Sequence, residues 1–229
     1  MKQTLIIITA LMLVVGFSSG QEPIDGNTYN TVQIGDQVWM AENLKVMHYR
    51  NGDPIPTGHS NKDWTNQQTG AYAVYDENES NADTYGYLYN WYAVNDSRNI
   101  APEGWHVPTD EEWMELEMHL GMSQSQAESE FERGTNEGSK LAGNADLWTN
   151  GALVNDSEFG TSGFNALPGG FRRSGSGDYG GMGDKGYFWS STKISRYGGI
   201  RRTLNYSNSV VTRLESGMLA GFPIRCIRD

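Results

Sequence analysis

The glycine-heavy reach from Gly134 to Tyr187 carries the side chains best equipped to hold a ligand. Trp148 and Tyr179 offer flat rings of the kind that stack on the C–H faces of pyranose sugars. Arg172, Arg173, Asp178 and Asp184 offer donors and acceptors suited to sugar hydroxyls. Binding residues concentrate on loops held by a rigid scaffold, so these six are the candidate ligand-binding residues. Some have a plainer use. A tryptophan more often fills a core than lines a groove, and Asn165, with Phe164 beside it, reads as a residue that holds the loop. Tyr179 and the two arginines, set among glycines, are the best exposed of the group.

Other chemistries find less support. His48, His59, His106 and His119 show no metal-ligand spacing, and the single cysteine, Cys226, excludes a cysteine-based structural zinc site. It equally excludes a disulfide within the chain, so Cys226 is expected to behave as a small buried apolar residue. His106, between Trp105 and Val107, is expected to be partly buried and hydrogen-bonded. A Gly-x-Ser-x-Gly elbow between strand and helix is absent, and Ser174 to Gly177 reads as flexible loop, not a phosphate cradle. Carboxylates are too numerous for a glycosidase pair to be singled out. "DENESNAD", residues 76 to 83, holds the hard oxygens of Asp76, Asn78, Ser80 and Asp83. As an EF-hand loop it would place Asn81 where glycine is needed and Tyr87 at the last ligand position. It is therefore read as a solvated acidic turn. No catalytic residue, metal or cofactor is assigned.

The elements that must position the loop residues are legible. In "HVPTDEEWMELEMHLG", Thr109 can cap the N–H of Glu112 while Glu112 reaches back, a capping box. Asp110, Glu111 and Glu112 complement the helix dipole. Trp113, Leu116 and Leu120 share one face, and Gly121 suits the left-handed stop. A second, shorter helix is expected from about Ser125. "YNTVQIGDQVWMAENL" alternates about a Gly-Asp turn, a hairpin signal. The aromatic run at 85–95 fits strand and helical spacing equally. "GYFWSST" reads as a strand, "RRTLNYSNSVVTRL" as two arms about Ser207-Asn208-Ser209, and "GFPIRCIRD" as a last strand with Arg225 facing away from Ile224 and Cys226. Gly134 to Tyr187 reads as loop, organised by turns. Strands, two helices, a long irregular insert and more strands make an α+β domain.

Residues 1–20, "MKQTLIIITALMLVVGFSSG", have one early lysine, an apolar run and small residues, as a secretory signal peptide does. The rest, 21–229, is expected to be a single domain, exported, monomeric and not inserted in a membrane. The net charge of −11 argues against nucleic acid and anionic membrane as partners. Residues 21–170 hold 6 basic and 24 acidic side chains, whereas 171–229 hold 10 basic and 4 acidic. Either one domain interleaves the two parts so that their charges complement each other, or the last quarter builds a basic ligand-facing patch.

Six stretches in order, "GDQVWMAENL", "TYGYLYNWYAV", "APEGWHVPTDEEW", "SGFNALPGGFR", "GYFWSST" and "IRCIRD", resemble the Fibrobacter succinogenes major paralogous domain family from about Thr31 to Asp229. The resemblance implies an exported bacterial protein of the periplasm, cell surface or extracellular space, with no settled activity. That family is distantly similar to the C-type-lectin-like and formylglycine-generating-enzyme group. The likeness implies a C-type-lectin-like fold of small twisted antiparallel sheets, two helices and a long glycine-rich loop region. There the capped helix docks near paired chain ends, as scaffold, with Trp105 and Trp113 packed beneath it. A cysteine often precedes the "PEGW" proline in the family and could pair with the one in the terminal strand; here Ala101 stands in that place. Formylglycine-type copper chemistry needs two soft thiolates, and this chain has one. The expectation is a non-enzymatic binding or adhesion module for extracellular polysaccharide; the alternative is a protein–protein or structural cell-surface module with a surface protein as partner, and a formylglycine-generating-enzyme-like oxidase or a hydrolase ranks behind both.

Overall fold

The structure is a computed structural model that describes residues 24–196 and 198–229; the expected leader, 1–20, lies outside the described residues. The first sheet is built from both ends of the chain. β1 (Thr31–Ile34) and β2 (Gln37–Met40) form the expected hairpin. Gly35 turns it at φ +60, where a Cβ would sit 2.9 Å from His119 Nδ1. The last strand, β12 (Ile227–Arg228), lies between β2 and β5 (Trp105–His106), with Ile227 opposite both Trp39 and His106. "GFPIRCIRD" was expected to be strand throughout. Only Ile227–Arg228 is, because residues 221–226 are wrapped inside the molecule and bond to loops and other strands.

A second sheet runs β6 (Phe131–Arg133), β11 (Val211–Gly217), β10 (Gly198–Asn205), β9 (Lys185–Lys193), all antiparallel. Two ribbons complete the β-structure, β3 (Tyr72–Ala73) with β4 (Leu88–Tyr89), and β7 (Gly169–Arg172) with β8 (Tyr179–Met182). The helices are α1 (Asn61–Trp64), α2 (Glu79–Tyr85), α3 (Trp91–Val94), α4 (Asp110–His119), α5 (Gln124–Glu128), α6 (Glu137–Leu141) and α7 (Ala152–Asn155). The fold is thus mixed α+β, with several small antiparallel sheets. Its two longer helices are α4 and α2, not α4 and its successor. None of the helices among the described residues is long and apolar enough to cross a membrane.

α4 forms where its capping box dictates. Thr109 Oγ1 accepts from Glu112 N at 3.2 Å and Glu112 Oε2 from Thr109 N at 2.7 Å, a device worth about 1 kcal/mol. α5 starts one residue earlier than expected, because Ser123 and Gln126 make a second capping box. The ambiguous aromatic run resolves into both alternatives in series, strand β4 and then α3, with Asn90 capping the latter.

Two aromatic clusters make the core, one on each face of β9. Trp113 on α4 packs on Trp39 at 4.9 Å and Phe188 at 5.7 Å, with Phe164 and Leu204 beside them. On the other face Trp189 meets Phe222 at 4.5 Å, with Tyr89, Trp91, Ile224 and Cys226. Burial holds the Cys226 thiol well above the usual cysteine range and makes it inert. Trp105, expected beneath the helix, is only half-buried at the sheet edge, under the Arg228 guanidinium.

The reach from Gly134 to Tyr187 is not an outlying loop. It contains α6, α7, β7 and β8, and buries Leu141, Trp148, Leu153 and Phe164 in the core. Short, closely turned elements leave no hydrophobic period to read, yet tertiary packing buries them.

The charge asymmetry is resolved by interleaving. Glu117 Oε2 meets Arg133 Nη2 at 2.5 Å and Glu117 Oε1 meets Arg202 Nε at 2.7 Å. Asp110 Oδ1 meets Arg202 Nη1 at 2.6 Å and Asp110 Oδ2 meets Arg213 Nη2 at 2.5 Å. Acids of α4 are thus neutralised by the arginines of β6, β10 and β11. Burial alone would raise the Asp110 pKa; Arg213 and Arg202 outweigh it and hold it below the ordinary carboxylate value.

Candidate functional site

The six candidate residues do not assemble as one aromatic platform. Trp148 is 5 % exposed and donates Nε1–H to Gly143 O at 3.1 Å. It fills the core because a backbone carbonyl satisfies its indole and Gly186 leaves room for its ring. Asp184 is half-buried and accepts from Thr149 Oγ1 at 2.6 Å, tying the β8–β9 turn to the loop before α7. Arg173 and Asp178 are exposed and paired at 3.1 Å across the β7–β8 turn, with the Arg173 guanidinium over Phe171.

Arg172 is 1 % exposed, against the expectation that it would stand free. The β7–β8 hairpin turns it inward, where its guanidinium lies between the rings of Trp64 at 4.5 Å and Tyr179 at 5.0 Å. Nε donates to Gly177 O at 2.8 Å, and Nη2 to His59 O at 2.7 Å. The first bond needs Gly177: at its φ of +74 the backbone passes so close to α1 that a Cβ would fall 2.2 Å from Asn61 O. Nη1 carries no protein hydrogen bond among the described residues, and no carboxylate pairs with the group. Burial pulls the Arg172 pKa down, and Tyr179 and Glu77 offset this only in part.

Arg172 and Tyr179 line a cleft of about 240 Å³ with His59, Val74, Glu77 and Glu79. Tyr179 cannot serve as a stacking platform, since Arg172 covers its ring and Tyr75 packs on it at 5.3 Å. What it brings is its hydroxyl. Among the described residues that oxygen is buried without a partner, and so is His59 Nε2. Burial pushes the Tyr179 pKa up to about 12, so the phenol keeps its proton as a donor. Unpaired buried polar atoms are few in native proteins and call for an explanation; here two of them belong to residues of one cleft. At its rim Asp76 and Glu77 hold φ of +53 and +55, left-handed values that cost non-glycine residues about 1–3 kcal/mol each and cluster at functional sites.

The stretch read as a solvated acidic turn is this rim. Tyr75–Glu77 form a 3-10 turn, and Asn78 Oδ1 is spent on Ser80, accepting from its N at 3.2 Å and its hydroxyl at 2.8 Å. Among the described residues no group of three or more His, Cys, Asp or Glu side chains is placed to hold a metal ion.

A larger cleft, about 460 Å³, opens at the other end of α2, lined by Glu42, Asn43, Lys45, Asp83, Thr84 and Asn165. Beneath it Arg225 is fully buried. It donates to Asn43 Oδ1 at 2.8 and 3.1 Å, to Met40 O at 3.1 Å, to Asn165 O at 3.3 Å and to Phe164 O. Sequence reasoning set Arg225 opposite the buried Ile224 and Cys226 and so missed its burial. It also missed His59, Glu77 and Glu79, for which only membership of polar stretches gives any signal. His106 matches expectation: half-buried, it bridges Asp229 Oδ1 at 2.7 Å and Glu112 Oε1 at 2.8 Å.

Small antiparallel sheets around a capped helix, with polar clefts among short irregular elements, define an α+β protein whose loops are part of its core. Residues 32–228 match the Fibrobacter succinogenes major domain. The chain belongs to that family. Comparison with curated proteins and with solved structures returned no match.

Proposed function

We propose that this chain is an exported, non-enzymatic binding module with a C-type-lectin-like fold, acting as a monomer on extracellular glycan. The recognition site is the 240 Å³ cleft between β7–β8 and the 3-10 turn at Tyr75–Glu77. One observation carries this reading: Arg172 Nη1, the Tyr179 hydroxyl and His59 Nε2 have no protein partners among the described residues, and all three belong to residues that line a single cleft. A sugar hydroxyl accepts from a guanidinium or phenol while donating to a carboxylate, so it complements Arg172 and Tyr179 on one side and Glu77 and Glu79 on the other. The volume suits one terminal sugar ring better than a long chain, since pockets for larger ligands run upward of about 300 Å³.

A glycan array, run with and without chelator, tests the reading directly. The expected result is chelator-insensitive binding of a defined glycan, weakened about tenfold by Tyr179→Phe with the melting temperature unchanged. Binding of no glycan ends the proposal. So does a glycan whose affinity ignores both Tyr179→Phe and His59→Ala.

A further inference from the structure

Far from both clefts in the sequence, α4 and α5 enclose a groove of about 340 Å³ that is apolar where the clefts are polar. Met114, Met118 and Ala127 line it, with Glu111 and Glu128 at its edges. Met118 is 39 % exposed. The strand that follows α5 begins with Phe131, the most exposed large apolar side chain among the described residues at 65 %. Phe131 pairs with Arg213, whose guanidinium reaches Asp110 at the start of α4 and Glu128 O at the end of α5. Phe131 therefore sits on the strand pair that Arg213 ties to both helices. Its φ is +64. A bulky side chain in the left-handed region is a rare outlier, and among the described residues this ring joins none of the hydrophobic core clusters.

Methionines are flexible and polarizable, and surfaces rich in them accommodate varied apolar partners. An exposed apolar strip with a polar rim marks an interaction site. The rim also specifies charge. Glu111, Glu115, Glu128, Glu130 and Glu132 are all exposed, and none is in an ion pair among the described residues. From Glu103 to Glu132 the sequence contains no lysine or arginine. An anionic membrane surface is repelled by such a rim; a cationic chain is attracted.

We propose that the α4–α5 groove with Phe131 docks a basic amphipathic segment of a partner protein, its apolar face on Met114, Met118 and Phe131 and its lysines or arginines on the glutamate rim. An amphipathic helix laid in an apolar groove is a recurrent mode of recognition. The proposal is independent of the glycan reading, since the two surfaces share no residue.

The probe is an 18-residue amphipathic helix of leucine and lysine, compared with a peptide of the same composition whose apolar face is scrambled. Binding by fluorescence anisotropy is expected to favour the amphipathic peptide at least tenfold and to weaken as salt rises. In methyl-labelled protein, shifts should be confined to Met114 and Met118. Met118→Lys should cost tenfold or more. Phe131→Gly should weaken binding while raising the melting temperature, because glycine accepts that φ without strain; a merely structural ring would lower it. Equal binding of the scrambled peptide, methyl shifts spread over other methionines, or indifference to both substitutions would overturn the proposal.

Discussion

Behind α4, Arg133, Arg202 and Arg213 meet Glu117 and Asp110; on the cleft side, Arg172 and Arg225 meet carbonyls, amides and rings, and no carboxylate. Both arrangements bury guanidinium groups, yet they differ in what is left over. In the α4 network every arginine meets a carboxylate, three guanidinium groups sharing Asp110 and Glu117. Removing a charge from water costs several kcal/mol per ion, and a partner in good geometry offsets it. The cleft-side arginines rely on neutral acceptors, which offset less. Burial lowers the pKa of Arg225, to about 9, and that of Arg172. Arg133 is lowered by burial as well, with Glu117 offsetting part of it. The lesson is that one region spends its charges internally, as a frame, whereas the other keeps unsatisfied polarity next to open clefts.

Glu117→Gln attacks the frame where it is deepest. It leaves Arg133 without its carboxylate and Arg202 with half of its own, and is expected to cost about 3–5 kcal/mol in urea unfolding. A loss under about 1 kcal/mol would mean that the network is not what holds α4 on the sheet. Arg225→Met probes the other arrangement. It strands acceptors on Met40, Phe164, Asn165 and Asn43 but leaves no charge unpaired, so about 2–3 kcal/mol is expected. Between pH 5 and 8 that loss should be constant.

Acid separates the two regions more sharply. Asp110 has a depressed folded pKa, so its contribution is complete above the unfolded value of about 3.9 and fades as pH falls through the lower folded one. Hydrogen exchange at pH 3 should therefore accelerate in α4, β10 and β11 before the β7–β8 hairpin loosens; the reverse order would contradict the comparison.

The smallest effect belongs to His106, at the junction of α4 and the chain's last residue. Burial pulls its pKa down, but the hydrogen bonds it donates to Glu112 and Asp229 win, leaving it above the ordinary value. The sign follows: this stabilisation is full below an unfolded pKa of about 6.5 and is lost as pH rises through the higher folded one. Because the group is partly open to solvent, under about 1 kcal/mol is at stake. Melting temperature in His106→Gln should be lowered at pH 6 and match the parent at pH 9.

What was legible in the sequence was whatever repeats or caps locally. The Gly35 hairpin, the Thr109 box, the β10–β11 pair and the order of the six family stretches all stood in their residues. Asp110 shows where legibility stops. Read alone, it is a charge at a helix N-terminus; in the fold it is 3 % exposed and is the anchor for arginines about a hundred residues away. Trp148 and Arg172 fail similarly, because residues among glycines look exposed when their packing partners come from elsewhere. The cleft was half legible: Tyr179 and Arg172 were named, but Tyr179 contributes a hydroxyl and not a ring face. His59 gave no signal because its role depends on a hydrogen bond it does not make.

By itself, then, the sequence determined the capped helix, the hairpins, the α+β class and the family, since these rest on interactions within a few residues or on an ordered set of motifs. Only the tertiary structure decided which arginines are neutralised, that the glycine-rich reach belongs to the core, and where polarity is left open. Those outcomes depend largely on contacts between residues distant in sequence, such as Arg225 with Asn165, 60 positions away, and with Met40, 185 away, and burial, not residue type, sets the strength of each.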